Sequence, residues 1–399
     1  MRSFLRCCLL ALLPAAAHAQ AAAPGTIIIG TTDSIYSPAL KEYRKYEIYT
    51  PPSYRQSTYL PRAYPVLYLL DGDAHFHSVT GLLQILGTGV NGTYVVPEMI
   101  VIAIPNTDRT RDLTPTHAAA GVDGKPAPAF ATSGGMPTFL QFVKSELIPH
   151  VDSTYRTEPY RVLVGHSFGG IATIDALYTI PETFNAYVAI DPSLWWDNQT
   201  LLKQANAYFS KRAPAARTLF VGQANTKDPS DPSKNVHFNS IVEFNKLLLE
   251  NNKSGIRYAY KYYDDDDHGS VPMIAEYDAL RFIFSAYKAN LVAAMDRPAS
   301  IVDHFAKLSS ELGYRVKPPE RMVDQLGTIE LSRDTTKAVA LMQINTELYP
   351  TSSHAFQSLG AMYAAARDSV RARVAYERAV ALDPKNQRAR DALSKLGGR

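Results

Sequence analysis

Cysteine is nearly absent: the two in the chain, Cys7 and Cys8, both fall within its first twenty residues. Past them there is no thiol, which excludes disulfides and cysteine-ligated metal sites and leaves the fold to rest on its core. No long apolar run appears either; the stretch Cys7 to Leu13 is too short to span a bilayer. Charge of one sign is also lacking, with 41 Lys plus Arg against 38 Asp plus Glu, a net of +3. Without Arg2 and Arg6 it falls to +1. So neutral a chain excludes a nucleic-acid or anionic-membrane binder. With 46% hydrophobic and 20% charged residues it is neither disordered nor a coiled coil.

What is present is more specific. Arg2 and Arg6 form a positive n-region, Cys7 to Leu13 an apolar h-region, and Ala17-His18-Ala19 a small-x-small site before Gln20. This pattern predicts a signal peptide over 1–19, cleaved after Ala19, and a periplasmic or secreted protein. Beyond it come continuous apolar runs bounded by Gly, Asp and Pro, at Tyr64 to Leu70, Met99 to Ile104, Arg161 to Val164, Ala186 to Ile190 and Thr218 to Val221, and a sixth, more polar run, Ile256 to Tyr263, that reads as a late strand. Such runs predict buried strands of a mainly parallel sheet. Helical patterns lie between and after them, over Thr138 to His150, Gly170 to Tyr178, Ile241 to Asn251 and Ile274 to Tyr287. Strands alternating with helices predict an α/β domain over 20–290.

From about Met295 the strand signal vanishes and Ala-rich helical periodicity runs to Arg399. Pro350 and Pro384 stand 34 residues apart, each closing a helical segment. Between them Phe356, Leu359, Gly360, Tyr363, Ala372, Tyr376 and Ala379 resemble a tetratricopeptide repeat, with a weaker copy 34 residues earlier at Ala338, Met342 and Pro350. The organisation that follows is a helical linker over 291–335 and a small all-α, TPR-like repeat over 336–399.

The sharpest local signal is Arg161-Val162-Leu163-Val164-Gly165-His166-Ser167-Phe168-Gly169-Gly170. A strand pattern enters G-x-S-x-G and a helical pattern leaves it, the context of a nucleophile elbow at Ser167. A serine hydroxyl needs a base. Chain order in an α/β-hydrolase puts that base after the last strand, where His268 stands in Asp267-His268-Gly269-Ser270. His166 adjoins the nucleophile and cannot fold back to serve it; His75 and His77 are binding candidates. The run Asp264 to Asp267 lacks the alternating ligands and turn glycine of a calcium loop, so a solvated acidic turn is expected.

Together these residues resemble the esterase family of α/β-hydrolases that includes esterase D-like enzymes and the enterobactin and salmochelin esterases. The resemblance covers about Tyr43 to Tyr287. It rests on Leu69-Leu70-Asp71-Gly72-Asp73, Gly165 to Gly170, Asp191-Pro192-Ser193-Leu194-Trp195-Trp196, and His268-Gly269-Ser270. It implies ester hydrolysis by a serine nucleophile, Ser167, and a histidine base, His268, with an acyl-enzyme and no cofactor or metal. It also implies an oxyanion hole from the backbone N–H groups of Phe168 and Asp73. Many relatives place the acid just past the strand Thr218 to Gly222, where this chain has Gln223, Ala224, Asn225 and Thr226. Asp228 is therefore expected to orient His268, with Asp231 and Asp191 as alternatives.

Trp195 and Trp196, the only tryptophans, are expected over the cleft as flat walls for an aromatic or sugar-like group, unless one of them packs the cap instead. Arg109 or Arg111 is expected either to meet an acidic substrate or to pair with Asp108 or Asp112. The partner called for is a small-molecule ester, with a protein partner or self-association through the tail left open. An acyltransferase of the same fold, and an exported interaction protein with a vestigial hydrolase scaffold, are the competing readings.

Overall fold

The computed structural model describes residues 27–90, 94–121, 124–211, 216–251, 253–397. The leader expected over 1–19 lies outside the described residues. The hairpin β1 (Thr31–Ser37) and β2 (Glu42–Tyr49) opens the fold, a pair the apolar-run pattern did not anticipate because both strands mix polar with apolar residues. The six runs then appear as β3 (Tyr64–Leu70), β4 (Ile100–Ile104), β5 (Thr157–His166), β6 (Ala186–Ile190), β7 (Thr218–Ala224) and β8 (Arg257–Tyr263). They form one eight-stranded sheet in the order β1-β2-β4-β3-β5-β6-β7-β8. Pairing is antiparallel from β1 to β2 and from β2 to β4, and parallel across all the rest. A short turn through Lys41, at φ 57°, suffices for the hairpin; parallel neighbours need longer crossovers.

Those crossovers are helical: α1 (Gly72–Gly87), α2 (Arg109–Leu113), α3 (Met136–Phe142), α4 (Ile148–Thr154), α5 (Phe168–Thr179), α6 (Trp196–Phe209) and α7 (Val236–Asn251), with α8 (Val271–Ile283) after the last strand. The helix expected over Thr138 to His150 is divided by a π-turn at Val143–Leu147. Pro149, in the first turn of α4, has no N–H for the regular ladder, and the wider turn accommodates it.

Alternation along each strand loads both faces. Val66, Tyr68 and Leu70 join one buried cluster with α3 to α7; Leu67 and Leu69 join the other with α1 and α8. The second cluster does not stop at α8. It continues through Ile301, Phe305, Leu308, Met322, Val323, Leu326 and Leu341. These belong to α10 (Ser300–Leu312), α11 (Glu320–Glu330) and α12 (Thr335–Leu348), which follow α9 (Leu291–Asp296). Tyr59 Oη to Asp324 (3.2 Å), Leu60 N to Glu320 (3.2 Å) and Tyr94 Oη to Gln325 (2.9 Å) tie the tail to the sheet's flank. The chain ends in α13 (Ser353–Ala365), α14 (Ser369–Leu382) and α15 (Gln387–Gly397) around a smaller cluster. There Gly360 lies against the Tyr376 ring, so closely that a Cβ would meet its edge at 2.7 Å. The architecture is an α/β-hydrolase sheet followed by an all-α region.

Candidate active site

The turns after β3, β5, β6 and β8 meet at the C-terminal edge of the parallel strands, where such sheets present their ligands. The turn after β5 is the tightest. Ser167 sits at φ 60°, ψ −113°, a backbone strain a non-glycine residue rarely accepts. Gly165 is obligatory there, because a Cβ would collide with the Gly169 carbonyl; a Cβ on Gly170 would stand 2.9 Å from Pro192 Cα. Ser167 N donates to Ile190 O (2.9 Å) and Ser193 N to Ser167 O (3.1 Å), so the elbow is stitched to the end of β6. The serine caps α5, whose dipole favours negative charge at this end.

His268, in the loop between β8 and α8, brings Nε2 to 3.1 Å from Ser167 Oγ. Its Nδ1 stands 2.6 Å from Asp191 Oδ2. Asp191 is fully buried and caps the end of β6. Its φ of 41° turns the side chain across the end of β7, where Oδ1 accepts from Ala224 N at 3.0 Å. A second imidazole joins them: His237, in the first turn of α7, places Nε2 at 2.9 Å from the same Oδ2. Burial pushes the Asp191 carboxyl up, but the hydrogen bonds from His237 and His268 outweigh it and hold the acid well below the usual carboxylate range. Among the described residues this trio is also the one group whose ligand-type atoms all lie within 4.8 Å. The 2.6 and 2.9 Å separations are hydrogen-bond lengths, each line carrying a proton.

His166 packs against His268, ring centroids 4.5 Å apart and planes tilted by 43°. Burial, then the nearby His268 and His75, push its pKa down to about 4, so it is a neutral wall. On the other flank, Phe168 and Asp73 occupy the first and second positions of α5 and α1, where a backbone N–H has no intrahelical partner. Arg109 links the two turns. Its Nε and Nη2 meet the Asp71 carboxylate at 2.7 and 3.0 Å, Nη2 reaches His166 O at 3.3 Å, and its guanidinium lies over the Phe168 ring. Asn106 Nδ2 bridges Asp71 and Asp73 at 2.8 and 3.0 Å.

The structure thus gathers Ser167, His268 and Asp191, and leaves Asp228 out. Asp228 turns to Ser230 N (2.9 Å) and lies 3.6 Å from Lys234 Nζ, at the surface of the β7–α7 loop. Asp231 caps its own short turn through Ser233 N (3.1 Å). A proline-flanked loop that satisfies its carboxylates locally has none to send to His268. Arg111 is likewise occupied, by Asp112 at 2.7 Å and Glu42 at 2.6 Å, with buried Arg44 bound to the same two carboxylates. The tryptophans divide. Trp196 is buried against Phe130 and Phe168 and directs Nε1 to Thr116. Half-buried Trp195 lines a recess of about 560 Å³ with His117, Asn198, Gln199 and Lys203. The wall is unusual: Asp197, Asn198 and Gln199 all adopt left-handed backbone (φ 43°, 54°, 64°). The acidic run forms a turn, Asp267 Oδ1 accepting from Gly269 N and Ser270 N at 2.9 Å each. His237 had no sequence signal, since nothing in its neighbourhood marks it apart from other helical histidines.

Residues 37–264 match the family model described as "Putative esterase". A ferri-bacillibactin esterase of Bacillus subtilis is 29% identical over 258 residues, 60% of this chain and 85% of that protein. A siderophore enterobactin esterase of Emericella nidulans is 31% identical over 245 residues, 51% of this chain and 77% of its own. Among solved structures, an IroE-like serine hydrolase from Shewanella oneidensis is similar at a TM-score of 0.70 and 31% identity, covering 80% of this chain and 99% of that one.

Proposed function

Because the chain belongs to this esterase family and is a serine carboxylic-ester hydrolase, we propose that it works through Ser167, His268 and Asp191 with an acyl-enzyme intermediate. The observation that carries the proposal is the unbroken line from Ser167 Oγ to His268 Nε2 (3.1 Å) and from His268 Nδ1 to Asp191 Oδ2 (2.6 Å). Ser167 Oγ attacks the ester carbonyl while its proton passes to His268 Nε2. Asp191 accepts from Nδ1–H, fixing the tautomer that leaves Nε2 basic and stabilising the imidazolium that forms. The negative oxygen of the tetrahedral adduct faces the Phe168 and Asp73 N–H groups; one such donor is worth about 2.7–4 kcal/mol. As the C–O bond breaks, Nε2–H protonates the departing alcohol. Water, deprotonated by the same nitrogen, then attacks the acyl-serine and the acid leaves. No step calls on a cofactor.

Two relatives are named as siderophore esterases, and the indole face of Trp195 beside the serine turn suits a flat acyl group. A siderophore-type ester therefore heads the substrates to try. The leader pattern supports export. In this reading 20–290 is the catalytic domain, 291–335 links it to the tail, and the Gly360–Tyr376 packing supports a TPR-like unit in 336–399.

A fluorophosphonate probe should label wild type at Ser167, and a panel of siderophore, feruloyl and simple aryl esters should rank acyl groups by kcat/KM. Ser167→Ala should lose labelling and about a millionfold in kcat while its melting temperature holds. Turnover that survives in the alanine variant, free of host esterases, would refute the assignment.

A further inference from the structure

One oxygen of Asp191 serves two imidazoles. Oδ1 is occupied by the Ala224 N–H at 3.0 Å, which leaves Oδ2 to receive both His268 (2.6 Å) and His237 (2.9 Å). The rings stand edge to face at 89°, centroids 5.3 Å apart, so neither blocks the other. The other ring nitrogen of His237, Nδ1, is buried and has no hydrogen-bond partner among the described residues. The hydrogen bond to the acid is thus what its ring nitrogens are given to do. Helix α7 could have closed over the end of β7 with any apolar residue at this position; instead it spends an imidazole on the carboxylate that orients the base.

We propose that His237 is a positioning residue of the hydrolase, sharing the Asp191 carboxylate with His268 and holding that carboxylate in place to orient the base. The proposal rests on the Ser167–His268–Asp191 reading above. Each imidazole places an N–H on Oδ2, so the carboxylate is held from two sides. With the His237 N–H gone, the carboxylate keeps only its Ala224 anchor at Oδ1, and the imidazole it orients is less firmly aimed at Ser167 Oγ.

The groups facing this pair are few. Asp191 comes from β6, His268 from the β8–α8 loop, and His166 covers the other face of His268 as a neutral ring. In the loop before α7, Lys234 is engaged with Asp228 and Asp231 at 3.6 and 3.4 Å. Asp266 and Asp267, in the turn before His268, are bound to Ser270.

The test compares wild type with His237→Gln, which can keep an N–H on Asp191 but can take no proton, and with His237→Phe, which has neither. His237→Gln should hold kcat within about threefold of wild type, the scatter of a retained contact. His237→Phe should lower kcat tenfold to a hundredfold with KM nearly unchanged, the cost of a loosened base. Rates of fluorophosphonate labelling at Ser167, which need no ester substrate, should fall in the same order. Should the phenylalanine variant not fold, His237→Ala is measured in its place. Wild-type kcat in a folded variant without the N–H, or an equal loss in His237→Gln, overturns the proposal. A wild type that neither labels at Ser167 nor hydrolyses any ester removes the catalytic reading instead.

Discussion

Replacing Asp191 by asparagine separates the acid the structure brings to His268 from the one the sequence pattern favoured. The carboxylate is fully buried and receives three N–H donors, from His268, His237 and Ala224, at 2.6, 2.9 and 3.0 Å. Asparagine keeps the shape but offers one oxygen and an NH₂. If its NH₂ faces His268 Nδ1, the imidazole must turn to the tautomer protonated at Nε2, and the nitrogen 3.1 Å from Ser167 Oγ can no longer accept its proton. Loss of the correct tautomer costs about 10⁴ in kcat in a serine triad, or about 5 kcal/mol at 1.36 kcal/mol per tenfold. Folding should suffer less. One buried donor left unpaired costs about 1–3 kcal/mol, so the variant should remain folded with a lowered melting temperature. Asp228→Asn, at the surface with Ser230 and Lys234, should change kcat by less than about twofold, as surface changes away from a site do. The assay is steady-state hydrolysis of one aryl ester with both variants, active sites counted by fluorophosphonate titration. If Asp191→Asn stays within tenfold of wild type, or Asp228→Asn is the slower of the two, Asp191 is not the acid of the triad.

Two further outcomes follow from the packing. Glu276, buried in α8 against Leu67, Val79, Val164 and Val188, is pushed by that burial up to about 8. Its contribution is therefore fully present below the unfolded value near 4.3 and is lost as pH rises to about 8, at 1.36 kcal/mol per unit, on the order of 5 kcal/mol in all. Glu276→Gln should gain on wild type in melting temperature steadily from pH 5 to 9, and parallel curves would contradict this. A chain ended at Lys288 loses Ile301, Phe305, Leu308, Met322, Val323, Leu326 and Leu341 from the cluster that covers α8. At about 1.5–3 kcal/mol per buried side chain, the loss rivals the whole 5–15 kcal/mol of a typical domain. Such a chain should aggregate on expression, and a soluble monomer melting near the full-length value would refute the coupling.

The serine turn and the histidine that meets it were legible because local geometry writes them into neighbouring residues. A strand that must turn at once into a helix needs Gly165 and Gly169 around Ser167, and the base has one place in the chain order. The inner strands β3, β4, β6 and β7 were legible for a similar reason, being buried on both faces and hence largely apolar. The acid was not. Its position depends on which strand end can reach His268 across the sheet, and β6 does so only because β7, lying between β6 and β8, ends in small Ala224, which itself donates to Asp191. The hairpin β1–β2 was missed because an edge pair with one solvated face carries few apolar residues. Which face the tail covers was not legible: helical periodicity shows that helices exist, while the sheet face they cover is recorded much earlier in the chain.

That docking also sets a timetable for biosynthesis. The face of α8 that Ala275, Ala279 and Ile283 present is made well before Leu341 arrives to help cover it, roughly 60 residues later in the chain. At 5–20 residues per second, the growing chain carries a finished catalytic layer with an open apolar flank for roughly 3–12 s. Whatever holds the nascent protein during that interval, a ribosome-bound chaperone or the translation rate itself, therefore governs yield. Synonymous codons between Lys288 and Leu341 should matter to recovery more than those over the active site.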